Sequence, residues 1–265
     1  MLAAVLIGQA GEADAPPLKP VRPWNIEYAD SMCVAARAYG DVAAPITIAF
    51  KPTPFSDMLQ AVVLGTRSQL GRQARVDVSV EAPGREFGEK FEGTRVHLPK
   101  DDRAVISFYI SRDQLESLVG APKFTVRASG GPPISVNLAM GKPVLAGLRA
   151  CETDLLVHFG YDPAKIAAVV TPAQSISPAE WITNEDYPLS ALSERLDGIS
   201  YIGWTLSVEG RVTNCKVLQS SGVSALDQAA CGAVMKRGRA KPALDAAGKP
   251  VESYSTRRVR WQLPG

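Results

Sequence analysis

Apolar and polar residues alternate in several short stretches of the first half of the chain, which is the pattern of β-strands with one buried face. The alternating stretches lie at residues 24–28, 46–50, 76–80, 124–126 and 134–138, and a denser apolar run lies at 104–110. Clusters of glycine and proline separate these stretches, for example at residues 52–54 and 130–133. Short strands at this spacing predict a β-rich domain whose antiparallel strands form a sandwich or a barrel.

Two stretches with helical spacing interrupt the strands. Ser111 or Asp113 is placed to cap a short helix that ends at Gly120. A longer helix is predicted at residues 144–159, because apolar side chains recur there at every third or fourth position. Gly160 ends that helix, so we predict that the β-rich domain covers residues 24–160.

The segments on either side of this domain have a different composition. Residues 1–23 begin with the apolar run Met1–Ile7, and Ala13-x-Ala15 looks like the cleavage site of a secretory signal peptide. A leader without defined structure is the alternative, and the four prolines that follow predict an extended lead-in. The prolines and serines of residues 161–180 predict a linker with one short helix at 165–170.

The last part of the chain predicts the order helix, strand, strand, helix, strand. The elements are a helix opening at Tyr187-Pro188 with Leu189, Leu192 and Leu196 on one face, a strand through Ile202, Trp204 and Leu206, a second strand at 212–217, a helix capped by Ser224, and a last strand at 254–263. Glu209-Gly210 is a typical hairpin turn between the first two strands. Trp204 and Trp261 fall on inward faces and are expected in the core. The chain is therefore predicted to be α+β, with a small αββαβ domain at residues 181–265.

Composition and charge exclude several classes of function. Lysine and arginine together number 29, and aspartate and glutamate 27, so the net charge of +2 gives no reason to expect a nucleic acid partner. No apolar run reaches about 20 residues, the length of a membrane-spanning helix. His97 and His158 are the two histidines, and no closely spaced cysteine or histidine pair occurs. We therefore expect no metal site and no cofactor.

No nucleophile and base occur in a recognisable arrangement. The carboxylate pairs Asp101-Asp102 and Glu185-Asp186 are adjacent residues, which is typical of solvated charge in loops. We therefore expect that the protein is not an enzyme. The alternative is a hydrolase with a site in the first domain.

The four cysteines allow three disulfide pairings. Cys33 and Cys151 lie at the two ends of the first region, and Cys215 and Cys231 lie on the predicted second strand and the helix after it. One bridge in each region is the most economical pairing, and it favours an oxidising compartment. Four buried free thiols are the alternative.

Several short motifs in the last region resemble a known family. They are Tyr187-Pro188, Gly210-Arg211-Val212, Ser220-Ser221-Gly222, Leu226-Asp227, Lys241-Pro242-Ala243 and Gly248-Lys249-Pro250. In this order they resemble the C-terminal domain of TonB proteins. Within this region two features differ from the family: Gly238 and Ala240 lie where aromatic residues are usual, and Cys215 and Cys231 replace core aliphatic residues. The second difference agrees with a bridge between strand and helix.

The resemblance implies a periplasmic protein that binds the TonB box of outer-membrane TonB-dependent transporters by strand addition, in energy-coupled transport. It implies contact with the ExbB–ExbD motor only if an inner-membrane anchor precedes Met1. The last strand is the candidate edge, and the candidate partner-binding residues are Tyr187, Pro188, Tyr254, Thr256, Arg257, Arg258 and Arg260.

Three alternatives stay open. Arginines on an edge strand also protect it from aggregation, and Tyr187-Pro188 also suits a plain helix start. An envelope structural or interaction protein would keep the TonB fold without energy transduction, and residues 24–160 would then recognise the partner.

Overall fold

The computed structural model describes residues 15–29, 31–88, 90–98 and 101–263. The predicted signal sequence falls on residues 1–14 and lies outside the described residues. The chain divides into two compact units. The first unit contains the residues up to Glu27, Val34–Lys51 and Met58–Ala146, and the second contains Tyr28–Cys33, Pro52–Asp57 and the residues from Gly147 onward.

The first unit is built on a large antiparallel sheet, which confirms the predicted β-rich fold. The strands are β1 (Asn25–Ala29), β2 (Met32–Tyr39), β3 (Ile46–Pro52), β4 (Met58–Thr66), β5 (Arg75–Glu81), β6 (Phe91–His97), β7 (Arg103–Ser111), β8 (Phe124–Ala128) and β9 (Ile134–Val136). Their order in the sheet is β1-β2-β3-β4-β7-β6-β5-β8-β9. The alternate residues Ala104, Ile106, Phe108 and Ile110 of β7 are all buried, as period-two patterning requires.

The proline-rich lead-in joins two distant strands of this sheet. The Leu18 amide donates to the Ser135 carbonyl in β9 at 2.8 Å, and the Val21 amide donates to the Ala38 carbonyl in β2 at 2.9 Å. The lead-in therefore connects opposite sides of the sheet, which makes the sheet barrel-like.

Two short helices follow strands of this sheet. They are α1 (Arg67–Leu70) and α2 (Arg112–Ser117). Ser111 caps α2, because its hydroxyl accepts from the Gln114 amide at 3.1 Å and its own amide donates to the Gln114 side chain at 2.8 Å. Ser111 is thus the cap, and Asp113 lies inside the first turn.

The remaining elements follow in the second half of the chain. The helices are α3 (Lys142–His158), α4 (Pro163–Ala167), α5 (Leu189–Ser193) and α6 (Ser224–Arg237), with 3-10 turns at Pro178–Glu180 and Asn184–Asp186. The strands are β10 (Gln174–Ser175), β11 (Gly198–Leu206), β12 (Val212–Gln219), β13 (Ala240–Lys241), β14 (Ala243–Leu244), β15 (Pro250–Val251) and β16 (Ser253–Trp261). No helix in the described ranges is both long enough and apolar enough to span a membrane.

The centre of the second unit is a three-stranded antiparallel sheet in the order β12-β11-β16. Helix α6 covers one face, where Leu226, Ala230 and Val234 pack with the inward residues of the strands. Trp204 and Trp261 belong to this core and are 2% and 4% exposed, as predicted. The order α5, β11, β12, α6, β16 is the predicted αββαβ arrangement.

The opposite face of this sheet is also covered, which the sequence did not predict. Tyr161 packs there with Tyr201 and Leu218, and Phe55, Phe159 and Tyr254 surround them. Residues 161–180, predicted as a linker with one short helix, therefore contain a buried tyrosine and the strand β10, which pairs with β13. The predicted boundary at residue 160 differs from the division into units, because the end of α3 and the following residues pack on the C-terminal sheet.

Helix α5 is shorter than its leucine spacing predicts. It begins at Leu189, directly after Pro188, and ends at Ser193. Arg195 has a left-handed backbone, with φ at +53°, which stops the helix before Leu196. Leu189 is 83% exposed, so the prediction of a buried Leu189 face is wrong, and Ala191 is the buried residue of this helix. At α6, Val223 occupies the cap position and Ser224 is the first helical residue, without a side-chain cap.

Both predicted disulfides are present. Cys33 and Cys151 have Cα atoms 5.9 Å apart, and both belong to the second unit. Cys215 and Cys231 have Cα atoms 5.5 Å apart and join β12 to α6. The second bridge therefore fixes one strand of the small sheet to its covering helix.

Replacing Gly203 by alanine is expected to lower the free energy of unfolding by about 1–3 kcal/mol. A Cβ at this position in β11 would lie 2.4 Å from the Tyr161 hydroxyl and 2.9 Å from the Leu218 side chain. Thermal and urea unfolding measure the loss. Gly232→Ala is the matched control, because a Cβ there meets nothing within 4 Å and alanine favours a helix. Equal stability of the two variants would contradict the packing of Tyr161 on Gly203.

Candidate functional site

Strand β16 forms one edge of the C-terminal sheet. Nine residue pairs join it to β11 in continuous antiparallel register, from Gly198 opposite Trp261 to Leu206 opposite Ser253. Among the described residues, β11 is the only strand that pairs with β16. In an antiparallel pair, every second residue directs its N–H and C=O groups away from the partner strand. The outer side of β16 therefore offers backbone groups to an additional strand.

The other edge of the sheet, strand β12, is less regular. Its pairing with β11 shifts register between Tyr201 and Ile202 and again between Gly203 and Thr205. Asn214 in this strand has a left-handed backbone, with φ at +48°. Bulges of this kind bend and twist an edge and hinder the addition of a strand. The regular edge of the sheet is therefore β16.

Two predicted contact residues, Arg258 and Arg260, are exposed on one face of β16. Arg258 lies opposite Tyr201 in the register, and its guanidinium is 5.5 Å from the centre of that ring. The ion pairs within the described ranges include neither arginine. Residues two apart in a strand are separated by about 7 Å. The edge thus presents two positive charges at the spacing of alternate residues in an adjacent strand.

Arg257 has a different environment. It is half-buried, and its Nη1 atom donates to the Pro178 carbonyl at 2.7 Å. This hydrogen bond ties β16 to the 3-10 turn that precedes the sheet. The contact is structural, and the predicted contact of Arg257 with a partner stays a prediction.

Tyr187 is packed at the far end of the same strand. Its ring lies edge-on to that of Trp261, with the ring centres 5.4 Å apart, and its hydroxyl donates to the Leu196 carbonyl at 2.6 Å. Tyr187 and Pro188 are both half-buried. The structure thus gives Tyr187 a packing role, and partner contact by this pair stays a prediction.

Tyr254 and Thr256 contact a segment that is remote in sequence, residues 53–57, which we name the Phe55 loop. The Phe55 ring centre lies 5.7 Å from that of Tyr254, and the Thr256 hydroxyl donates to the Pro54 carbonyl at 3.2 Å. The Tyr161 ring packs against both of these rings, with its centre 4.8 Å from that of Phe55 and 4.8 Å from that of Tyr254. Burial raises the pKa of the Tyr161 and Tyr254 hydroxyls, so both rings stay neutral at physiological pH. The first half of β16 is therefore part of an uncharged aromatic cluster.

The comparison with known families agrees with this geometry. Residues 183–263 match the model of the Gram-negative bacterial TonB protein C-terminal family. Residues 183–263 are a TonB C-terminal domain. The match covers β11, β12, α6 and the open edge β16. No curated protein matches the chain.

The second unit is larger than its TonB C-terminal domain. The Phe55 loop, the end of α3 and Tyr161 lie outside the matched residues, yet they belong to the same unit. They cover the sheet face opposite α6. No sequence pattern predicts that the Phe55 loop contacts the C-terminal sheet, because its residues lie between two strands of the first unit.

A buried carboxylate holds the end of β16 in the TonB C-terminal domain. Asp227 on α6 is 6% exposed and accepts hydrogen bonds from the Ser200 hydroxyl at 2.6 Å, the Ser221 amide at 3.0 Å and the Ser220 hydroxyl. Ser200 in turn accepts from the Trp261 indole at 3.2 Å. Burial acts to raise the pKa of Asp227, but the hydrogen bonds outweigh it and lower that pKa below its ordinary value. The charged carboxylate therefore links α6, β11 and β16.

Proposed function

We propose that the protein is a periplasmic TonB-family protein that binds outer-membrane TonB-dependent transporters, by adding their extended TonB box to strand β16. One observation carries the proposal: the TonB C-terminal domain has a regular edge strand that pairs on one side only among the described residues. Strand addition uses such an edge, since main-chain hydrogen bonds supply affinity and side chains supply specificity.

The charge on the edge suggests the chemistry of the bound segment. Arg258 and Arg260 project from the same face of β16, and both are exposed. An added strand places alternate side chains beside them, about 5 Å away across the sheet. We therefore propose that the bound segment carries Asp or Glu at alternate positions.

Two further parts of the proposal concern location and role. Disulfides persist in oxidising compartments, so the two bridges support a periplasmic location. We propose energy coupling through ExbB–ExbD for a form of the protein that carries an inner-membrane anchor. We propose no catalytic role, because the buried Asp227 and its serines are engaged in linking α6 to the sheet.

Reversing both exposed charges on the edge is expected to weaken peptide binding about tenfold or more, because attraction becomes repulsion. The variant is Arg258→Glu with Arg260→Glu, and the ligand is a synthetic peptide that copies a transporter TonB box with alternate carboxylates. Fluorescence anisotropy gives the Kd, and amide NMR of the full chain should show peptide-induced shifts within β16. Lys241→Glu is the control, since Lys241 is exposed outside β16. Absence of any amide shift at millimolar peptide would overturn the proposed function.

The second candidate is an envelope interaction protein whose first unit recognises the partner. The observation that favours it is that the family match begins at residue 183, so the whole nine-stranded sheet lies outside the matched residues. Pull-down with the full chain and with the double charge reversal separates the candidates. Envelope partners kept by the reversed variant would favour recognition by the first unit.

A further inference from the structure

We propose that the Phe55 loop limits strand addition to the second half of β16, residues 257–261, and thereby sets the register of the bound segment. This inference rests on the proposed function and adds to it a determinant outside the TonB C-terminal domain. The loop is residues 53–57, which belong to the second unit although the strands on either side of them belong mainly to the first.

The loop is fastened to the sheet by two kinds of contact. The Pro54 carbonyl accepts a hydrogen bond from Thr256, whose hydroxyl also accepts from the Tyr201 hydroxyl at 3.1 Å. The Phe55 ring lies against Tyr161 and Tyr254, edge-on to the first and tilted to the second. The hydrogen bond and the ring contacts act on the first half of β16 alone.

Exposure along one face of β16 changes at the position where the loop ends. Alternate residues of a strand share a face, so Tyr254, Thr256, Arg258 and Arg260 all point to the side opposite α6. Tyr254 and Thr256 are half-buried, whereas Arg258 and Arg260 are exposed. Tyr254 and Thr256 both contact the Phe55 loop, whereas the ring contact of Arg258 in the described part of the chain is to Tyr201.

The loop therefore covers the sheet face toward which half of the side chains of a strand added beside Tyr254 and Thr256 would project. An added strand lies about 4.8 Å from its neighbour and projects its side chains to both faces of the sheet. Side chains placed beside Tyr254 and Thr256 would meet Phe55 and Pro54. Beside Arg258 and Arg260 the same face is open, so pairing can proceed there.

The backbone of Phe55 supports a specific role for this residue. Its φ is +58°, in the left-handed region that bulky side chains rarely adopt. Such a conformation persists only where surrounding contacts hold it. The Tyr161 and Tyr254 rings are two such contacts of Phe55.

Phe55→Gly removes the ring and is compatible with the left-handed backbone, so it is the sharpest variant. Thr256→Val is the second variant, because it releases Pro54 while keeping the strand. Asp57→Asn is the matched control, since Asp57 is an exposed residue of the same loop. All are tested in the full chain with two peptides, the TonB-box peptide of five residues and the same peptide extended by four residues at the end that would pass the loop.

In the unaltered protein we expect peptide-induced amide shifts at residues 257–261 and equal Kd values for the two peptides. In Phe55→Gly and Thr256→Val we expect the shifts to extend over residues 253–256. The longer peptide should then bind about tenfold more tightly than the shorter one, because further backbone hydrogen bonds form. Asp57→Asn should behave as the unaltered protein does.

The outcomes separate this inference from the proposed function. Shifts along all of residues 253–261 in the unaltered protein would overturn the role of the loop and leave docking on β16 intact. A Phe55→Gly variant that is folded but still binds both peptides equally would do the same. No shift with either peptide would remove the proposed function itself.

Discussion

Asp227→Ala is expected to lower the free energy of unfolding by about 3–5 kcal/mol at neutral pH. The substitution removes a hydrogen-bond acceptor that is almost fully buried. Three donors then lose their partner: the Ser200 hydroxyl, the Ser220 hydroxyl and the Ser221 amide. A buried donor without a partner costs about 1–3 kcal/mol. The loss should extend to β16, because Ser200 also holds the Trp261 indole.

The contribution of Asp227 should depend on pH in a defined direction. Its folded-state pKa lies below its ordinary value of about 3.9, so the folded protein binds the proton less readily than the unfolded chain does. The stabilisation is therefore fully present above about pH 4 and is lost as the pH falls through the lowered folded-state pKa. Asp227→Asn should accordingly be less stable than the unaltered protein at pH 7, with a difference that narrows below pH 4.

Urea unfolding at a series of pH values measures both effects. Asp197→Ala is the control, because Asp197 is an exposed carboxylate just before β11. It should change the free energy of unfolding by less than about 0.5 kcal/mol. A difference between Asp227→Asn and the unaltered protein that stays constant from pH 7 to pH 3 would contradict the role of the charged carboxylate.

The fold could be predicted from sequence where one face of a strand is apolar and the other polar. Strand β5 follows this rule, and its alternation predicted it within two residues, whereas β7 was predicted from a denser apolar run. Strand β4 was missed because Val62 and Leu64 place apolar residues on its second face as well. Strand β6 departs from the rule at one position, because Arg95, a charged residue, is buried in it and donates to the Gln73 and Ser129 carbonyls.

The candidate site was predictable in part for the same reason. The hairpin turn at Gly210 and the alternation in the last strand are local signals, and they predicted the order of elements and the edge strand. The cover on the second sheet face was not predictable, because Phe55 and Tyr161 lie far from β16 in sequence. Packing between remote segments has no period in the sequence. The cover on the second sheet face buries Gly203 and Thr205 in β11.

The cover also changes what the TonB C-terminal domain can do in this chain. A three-stranded sheet has two edges and two faces, and here α6 and the aromatic cluster occupy both faces. Strand β12 is bulged and is bridged by Cys215 to α6. Within the described residues, the outer side of β16 is therefore the regular surface left for an extended partner.

Replacing Cys33 and Cys151 by alanine is expected to lower the free energy of unfolding by about 4–5 kcal/mol, because the bridge closes a loop of 118 residues. The bridge also holds residues 28–33 in the second unit, where the Tyr28 hydroxyl donates to the Gly147 carbonyl at 3.3 Å. Amide hydrogen exchange should therefore rise most in that segment, while exchange along β16 should change little.

The Cys215→Ala, Cys231→Ala variant is the matched comparison, with a separation of 16 residues and an expected loss of about 3 kcal/mol. Its exchange should rise in β12 and α6 instead. Dithiothreitol should destabilise each double variant by the contribution of its remaining bridge. Equal losses of unfolding free energy in the two variants would contradict the dependence on loop length. An unchanged exchange rate in residues 28–33 of the Cys33→Ala, Cys151→Ala variant would contradict the role of that bridge in holding this segment. A large loss on reduction would mean that the protein keeps its full stability only in an oxidising compartment, as the proposed periplasmic location requires.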